Sequence, residues 1–286
     1  MELKISHLTK KYGNKIVLND LSITLNEGIY GLLGPNGAGK STLFKLLVLL
    51  LENDGGEITL DGKELTRWGS GYRSILGFMP QQQALYEHFR AYDYLAYLSQ
   101  VKGMKKKDAK QRIAYLLKEM ELDEHAFEKI RTFSGGMKQR LLLCAVLLND
   151  PKVILLDEPT AGLDPKQRIH VRNLIAKMAL NKIVIIATHV VSDVEFIANE
   201  FLLLKEGRLI QRGEISELLS VLKNKVKELK VSEIEYTQFV SDNLISSVSK
   251  TGNQLIVRLI DTKNLFPNAL TVDPTLEDVY LYNFQT

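Results

Sequence analysis

The 286-residue sequence predicts an α/β fold with a buried parallel sheet at its centre. Apolar runs at 29–33, 153–156 and 183–187 have the length of strands, and their continuous apolarity is typical of parallel strands covered on both faces. Residues 43–51 form an apolar run of helical length, and a glycine-rich loop separates it from the first strand. Around this core we expect an N-terminal antiparallel β layer, a helical subdomain and a small α+β C-terminal appendage.

The periodicity of the flanking segments predicts the first two of these parts. Residues 2–8 alternate between apolar and polar side chains, which indicates a half-buried strand, and residues 17–25 continue in strands. Apolar side chains recur at helical spacing from residue 91 to about residue 148. We therefore place the helical subdomain at about residues 83–148.

After Gly213 the sequence predicts a separate set of helices and strands. A polar, lysine-containing helix is predicted over 217–229, and a strand over 254–260. Thr275 and Asp278 have the spacing of a capping box at the start of a last helix. The segment contains no recognisable site.

Length and composition suit one large domain with an appendage, and we predict a domain at 1–214 and an extension at 215–286. Hydrophobic residues make up 45% and charged residues 25% of the chain, which is an ordinary globular composition. The net charge of +3 is too weak to indicate nucleic-acid binding, and we expect no nucleic-acid partner.

The cysteine content and the hydropathy of the chain indicate in which cellular compartment it works. The single Cys144 excludes an internal disulfide, is consistent with a reducing compartment, and lies in an apolar setting that predicts a buried thiol. We expect no secretory leader, because a strand-like pattern begins directly at Met1, and no apolar run reaches the roughly 18 residues of a membrane span. We expect a soluble chain, so that any membrane-spanning part belongs to another chain.

The glycine-rich loop, GPNGAGKST at 34–42, lies between a predicted strand and a predicted helix, which is the setting of a phosphate-binding P-loop. Glycines allow successive backbone N–H groups to face a phosphate, and the helix N-terminus adds positive potential. In such a loop the lysine reaches the β- and γ-phosphates and the serine hydroxyl ligates Mg²⁺. The residues of the loop are Gly34, Pro35, Asn36, Gly37, Ala38, Gly39, Lys40, Ser41 and Thr42.

Polar side chains follow two of the predicted parallel strands. Asp157 and Glu158 end one strand, and Thr188 and His189 follow another. Because ligands of open α/β sheets bind at the carboxyl ends of the strands, we expect the two carboxylates to face the nucleotide site.

Three further positions are candidates for the site. Ser134 is placed to cap the helix that follows it, with Gly135 and Gly136 in its first turn. Gln81 follows a short strand at 75–79. Tyr12 lies in a polar loop, where it is either a structural tyrosine or an aromatic surface for an adenine ring.

Together these features resemble the ATP-binding subunit of ABC transporters over roughly residues 2–213. Six motifs occur in that family's order: Tyr12, GPNGAGKST, Gln81, SGG at 134–136, LLDEP at 155–159 and His189. An AGLD stretch at 161–164 stands where the family has its D-loop. The resemblance implies a P-loop ATPase core that hydrolyses ATP to ADP and phosphate and couples this to transport.

The resemblance also implies a role for each matching residue. Tyr12 stacks on adenine, the loop at 34–42 holds the phosphates, and Ser41, Gln81 and Asp157 serve the Mg²⁺ ion. Gln81 senses the γ-phosphate and joins the helical part to the core, with Gln82 as a one-residue alternative. Glu158 orients and polarises the attacking water. His189 contacts the γ-phosphate.

Ser134, Gly135 and Gly136 imply that the protein works in pairs. In the family this stretch closes over the ATP of a second ATPase subunit in a head-to-tail dimer. The second subunit is another copy of the chain or a homologue. Met137 stands where glutamine is commonest in the family, and we expect ATP binding to survive this difference.

A separate multi-span membrane subunit is the other implied partner, docked near Gln81 and the helical subdomain. The chain would then lie at the cytoplasmic face of the plasma membrane. SGGMKQR at 134–140 and PTLEDVY at 274–280 are similar to exporter ATPases for drugs and antimicrobial peptides. The alternatives are transport of ions, lipids or polysaccharide, and a non-transport ABC ATPase acting on nucleic acid or the ribosome.

Overall fold

A computed structural model describes residues 1–81, 85–239, 243–252 and 254–285. The N-terminal layer is an antiparallel sheet with strand order β2-β1-β4-β5, as predicted. Its alternating pattern buries Leu3, Ile5 and Leu8. A bulge after Ile5 breaks the strict alternation there. The strands are β1 Leu3–Tyr12, β2 Lys15–Leu25, β4 Gly55–Leu60 and β5 Lys63–Glu64.

The central sheet has the order β10-β9-β3-β8-β7-β6, with five parallel strands and an antiparallel β10 at one edge. Every residue of β7 and of β8 is buried, which confirms the prediction from their continuous apolarity. The strands are β3 Gly28–Leu33, β6 Leu76–Met79, β7 Val153–Asp157, β8 Ile183–Ala187, β9 Glu200–Lys205 and β10 Arg208–Gly213.

The helix predicted over 43–51 begins earlier and ends earlier than its apolar run. It spans Lys40–Leu47 (α1), because the end of the glycine-rich loop forms its first turn. Leu49 has a φ of 58°, a left-handed backbone conformation that ends the helix. Other helices beside the sheet are α2 Leu65–Trp68, α3 Ser70–Ile75 and α7 Pro165–Met178, with 3₁₀ turns at Ile130–Thr132 and Val191–Asp193.

The helical subdomain consists of α4 Ala91–Val101, α5 Lys106–Glu119 and α6 Gly135–Leu147. Tyr94 and Leu95 face its core as their spacing predicts, whereas Val101 at the end of α4 is 66% exposed. Cys144 of α6 is fully buried, and burial raises the pKa of its thiol, so it has the inert character that its setting predicts.

The C-terminal segment forms a third, antiparallel sheet of order β12-β13-β11-β14. The helix predicted over 217–229 is wrong beyond Ser220, because Val226 and Val231 pair with β13 and pack as strand residues. The strand at 254–260 and the Thr275–Asp278 capping box are confirmed. The elements are α8 Ile215–Ser220, β11 Val226–Val231, α9 Glu233–Phe239, β12 Leu244–Thr251, β13 Gln254–Ile260, β14 Leu270–Thr271 and α10 Leu276–Phe284.

Two apolar clusters lie on opposite faces of the central sheet. One joins it to α1 and the N-terminal layer, and the other joins it to the helical subdomain and to α10. The carboxyl ends of β3, β7 and β8 are left at one edge, and the loops that follow these strands carry the polar residues identified above. Within the described part of the chain, no helix is long and apolar enough to cross a membrane.

Candidate nucleotide-binding site

The loop at 34–42 connects β3 to α1 directly, and two of its glycines are required by close backbone contacts. A Cβ atom on Gly34 would lie 2.3 Å from the carbonyl oxygen of Leu204. Gly39 has a φ of 110°, and a Cβ there would lie 2.9 Å from the carbonyl oxygen of Val17. Only glycine fits at both positions, so the loop is held against its neighbours with its backbone turned inward.

Lys40 begins α1 and turns its ammonium group back over the loop. Its Nζ donates hydrogen bonds to the carbonyl oxygens of Gly34 and Pro35, at 2.5 and 3.1 Å. Burial lowers the pKa of Lys40 below its usual value. The negative charges of Glu158 and Asp157 raise this pKa and offset only part of the effect. The cation therefore lies in a partly desolvated position where a phosphate group would be bound strongly.

Ser41 and Asp157 meet across the sheet edge. The Ser41 hydroxyl donates to the Asp157 carboxylate at 3.1 Å, although 116 residues separate them. Burial raises the pKa of Asp157, and the nearby charge of Glu158 acts in the same direction, while Ser41 and Lys40 oppose it. A hydroxyl and a carboxylate oxygen side by side are the hard oxygen donors that Mg²⁺ prefers when phosphates supply its other ligands.

Glu158 follows β7 in a strained backbone conformation with a φ of 53°. Its N–H donates to the carbonyl of Ala187 at 2.8 Å, which ties it to the end of β8. The carboxylate accepts hydrogen bonds from Thr188 Oγ1 at 3.0 Å and from the backbone N–H of His189 at 2.9 Å. The position of this carboxylate is therefore fixed by the strand next to its own.

One cavity of about 430 Å³ brings most of the predicted residues together. It contains the whole loop at 34–42 together with Gln81, Asp157, Glu158 and His189. Two lining residues were missed by the sequence analysis, Val17 and Tyr280. Val17 follows the Tyr12 turn and carries no polar signal. Tyr280 belongs to the extension, where no site was predicted.

Some predicted residues lie elsewhere. Tyr12 is not among the described residues that line the cavity; its ring is 47% exposed, and Lys10 Nζ lies 5.9 Å from the ring centroid. Its role against adenine stays a prediction. Gln82, the alternative to Gln81, and residues 83 and 84 at the start of the predicted helical subdomain lie outside the described residues.

The SGG stretch also lies outside this cavity. Ser134 Oγ accepts from the N–H of Met137 at 3.2 Å, so Ser134 caps α6 as predicted. Ser134 and Gly135 are exposed. A residue that the sequence analysis did not single out, Gln139 of α6, donates from Nε2 to the carbonyl of Glu158 at 2.9 Å and links this helix to the loop that follows β7.

Comparison with known proteins decides what this arrangement is. The model of the family described as ABC transporter matches residues 18–161. The chain belongs to the ABC transporter family. It is 35% identical over 222 residues to the linearmycin resistance ATP-binding protein LnrL of Bacillus subtilis, covering 77% of this chain and 71% of that one.

A second relative of this ABC protein is the Nod factor export ATP-binding protein I of Burkholderia orbicola, 39% identical over 209 residues that cover 72% of this chain and 69% of the relative. A solved structure described as the ATP binding subunit of an ABC transporter superposes with a TM-score of 0.71. That structure is 26% identical, and the match covers 77% of this chain and 93% of the other. The predicted fold class is therefore confirmed.

Membership in the family gives the activity. The chain is an ABC transporter ATPase, which binds ATP and hydrolyses it to drive transport. ATPase subunits of this family dimerise and work with membrane subunits.

Proposed function

We propose that this ABC ATPase powers the export of a drug, an antimicrobial peptide or a similar amphipathic substrate. Two relatives carry names that refer to linearmycin resistance and to Nod factor export. The SGGMKQR and PTLEDVY stretches support the same assignment. The competing hypotheses are the transport of ions, lipids or polysaccharide, and a function on nucleic acid or the ribosome.

The observation that carries the proposed chemistry is the placement of the Glu158 carboxylate in the same cavity as the P-loop. Lys40 neutralises the phosphates, and Glu158 accepts a hydrogen bond from the attacking water and orients it toward the γ-phosphate. His189 contacts the γ-phosphate, and Gln81 reports its presence to the helical subdomain. Positioning and charge neutralisation supply most of the catalysis in phosphoryl transfer.

We assign Mg²⁺ to Ser41, Gln81 and Asp157, which line the same cavity. The 3.1 Å contact between the Ser41 hydroxyl and the Asp157 carboxylate places two suitable oxygens together. Among the described residues, no group of three or more His, Cys, Asp or Glu side chains could hold a metal. The ion would neutralise charge on the phosphates during transfer.

The second ATPase subunit would complete the site. Ser134 and Gly135 lie exposed at the N-terminus of α6, outside the cavity that contains the P-loop. Helix N-termini bind phosphate, so this end of α6 is suited to close over the ATP held by another copy. ATP would then favour the closed dimer, and loss of the γ-phosphate would release it.

A membrane subunit would dock beside Gln81, on a patch that we call the aromatic patch: Tyr86, Phe89 and Tyr97. Their side chains are 55, 39 and 44% exposed. The Tyr86 ring lies 5.4 Å from that of Phe89 and 6.1 Å from that of Tyr97. A cluster of exposed aromatic rings suits an inserted helix of a membrane partner. The ATPase would thereby be held at the cytoplasmic face of the plasma membrane.

Mixing two inactive variants tests the paired site. Lys40→Ala disables the P-loop of one copy, and Ser134→Arg blocks the α6 N-terminus of another. If each site combines the two copies, a mixed dimer regains one intact site, and an equal mixture should recover about a quarter of the parental rate since half the dimers are mixed. A mixture as inactive as either variant alone would contradict the head-to-tail dimer.

Purification of the chain with its natural partners tests the transport class. Association with a multi-span membrane chain, together with loss of resistance to an amphipathic antibiotic when Glu158 is replaced by Gln, would support export. Co-purification with ribosomes or DNA in place of a membrane chain would overturn it.

A further inference from the structure

The C-terminal extension reaches the nucleotide cavity. Tyr280 of α10 lines the same cavity as the P-loop, Glu158 and His189, although 122 residues separate Tyr280 from Glu158. It is partly buried, and its ring packs against that of Phe284 with 4.6 Å between the centroids. A tyrosine from the last helix of the chain is thus part of the ATP-binding cavity.

The position of α10 is fixed by contacts with the core sheet. Leu276 and Val279 are buried in the apolar cluster that also contains the helical subdomain. Asn283 at the end of the helix accepts a hydrogen bond from Lys205 Nζ at 2.8 Å through its carbonyl oxygen. Its side-chain amide donates to Gln211 Oε1 at 3.3 Å. The helix is therefore attached to both strands of the β9–β10 hairpin.

That hairpin in turn contacts the P-loop. The N–H of Gly207, at its turn, donates to the carbonyl of Ala38 at 2.9 Å. Strand β9 pairs with β3, the strand that leads into the loop. Tyr280 and the P-loop are consequently held by one hairpin, and the distance between them is set by rigid elements.

The phenolic hydroxyl of Tyr280 is suited to donate a hydrogen bond. Burial raises the pKa of Tyr280, and the negative charge of Glu158 raises it further. The hydroxyl group therefore keeps its proton at neutral pH. Tyr280 lines the same cavity as Glu158, the residue that the proposed function puts at the γ-phosphate.

We propose that Tyr280 is a nucleotide-binding residue, supplied by the extension, whose phenolic O–H donates a hydrogen bond to the γ-phosphate of ATP. The inference rests on the orientation of ATP in the proposed function. ADP has no γ-phosphate, so the contact distinguishes ATP from ADP. By reciprocity of binding free energies, ATP must then stabilise the docked position of α10 to the same extent.

The test compares ATP with ADP on the full chain. Binding of each nucleotide with Mg²⁺ is measured by isothermal titration calorimetry, with Glu158→Gln as the background so that ATP survives the measurement. Tyr280→Phe removes only the hydroxyl and keeps the ring packing. We expect about tenfold weaker binding of ATP, the effect of losing one hydrogen bond to a charged group, and ADP affinity within twofold.

Tyr282→Phe is the matched control, because Tyr282 lies in the same helix and lines a different cavity, in the extension. It should change neither affinity. Unchanged ATP binding in Tyr280→Phe would overturn the inference. So would equal losses for ATP and ADP, or the same loss in Tyr282→Phe, since these indicate a purely structural role. Normal hydrolysis by the Glu158→Gln background would instead count against the proposed role of Glu158, and the comparison with ADP would then be made with a non-hydrolysable ATP analogue.

Discussion

The imidazole Nδ1 of His189 lies 2.7 Å from Oε1 of Glu158, and the backbone N–H of His189 donates to the same oxygen. Oε2 accepts from Thr188. The Glu158 side chain is only 9% exposed, whereas that of His189 is 65% exposed. The carboxylate is therefore held by the end of β8, and the imidazole beside it remains open to the cavity.

Replacing Glu158 by Gln should separate ATP binding from hydrolysis. Glutamine keeps the shape of the side chain and removes the charge that polarises water. Loss of a general base typically costs a factor of about 10²–10⁴ in rate. We expect a fall in kcat of at least about a hundredfold, with ATP affinity within about threefold of the parent. Steady-state phosphate release and calorimetry measure the two quantities.

The control for this variant is Glu124→Gln, which makes the same change at an exposed position of the helical subdomain. It should hydrolyse ATP at the parental rate. A Glu158→Gln chain with near-normal kcat would remove Glu158 from its proposed role.

Lys40→Ala should weaken ATP binding itself. A hydrogen bond to a charged group contributes about 1.5–3 kcal/mol, so the dissociation constant should rise at least about tenfold. The Lys45→Ala variant, in the exposed last turn of α1, controls for the loss of a positive charge. Equal affinities of the parent and the Lys40→Ala chain would refute the assignment.

The pH dependence of ATP binding should also report on Lys40. The protonated ammonium binds phosphate, and burial lowers its pKa. The proton is therefore lost at a lower pH than in an ordinary lysine of pKa about 10.4. We expect ATP affinity to fall with rising pH before that value is reached. Lys40→Arg, whose guanidinium stays charged, should abolish this alkaline decline; an identical decline in both chains would exclude Lys40 as its source.

A charged side chain at Tyr86 should uncouple ATP binding from transport. Tyr86→Asp puts an unpaired carboxylate on the aromatic patch, and burying it against a membrane subunit is costly. We expect transport by the complete transporter to fall at least about tenfold, with ATP affinity of the isolated chain unchanged. Tyr115→Asp, at a tyrosine of α5 that lines a separate cavity, is the control and should transport normally. Parental transport by Tyr86→Asp would count against docking at this patch.

The Arg258–Asp278 ion pair should stabilise the extension. Asp278 is fully buried, and Arg258 Nη2 lies 2.8 Å from its Oδ2. Removing one partner of a buried pair costs about 3–5 kcal/mol. Asp278→Asn should therefore lower the free energy of unfolding by about 3 kcal/mol, measured by urea unfolding with circular dichroism. Glu277→Gln, exposed on the same helix, should leave the midpoint unchanged.

The same ion pair predicts that its contribution to the free energy of unfolding is lost at low pH. Burial alone would raise the pKa of Asp278, but hydrogen bonds from Arg258, Ser246 and Thr275 outweigh it, and the pKa lies below its usual value. The stabilisation is complete above the unfolded-state pKa of about 3.9 and disappears as the pH falls through the lower, folded-state value. The stability difference between parent and Asp278→Asn should thus narrow below about pH 4. A constant difference down to pH 2 would contradict this.

The sequence predicted most of the cavity because its residues come from short local motifs. The glycines, Lys40 and Ser41 of the P-loop form a local signature, and Asp157 and Glu158 follow a strand whose continuous apolarity indicates that it is buried. The extension was predicted less well. The helix predicted over 217–229 ends at Ser220, because Val226 and Val231 become strand residues through their pairing with β13.

By itself the sequence determined the α/β core, the P-loop and the family, because each depends on the identity and spacing of neighbouring residues. Only the tertiary structure decided that Tyr280 lines the same cavity as the P-loop and that Gln139 of α6 donates a hydrogen bond to Glu158. These contacts depend on how α10 and α6 dock on the sheet. Docking depends on many side-chain contacts between residues that are far apart in the sequence, and the periodicity of the sequence does not reveal these contacts.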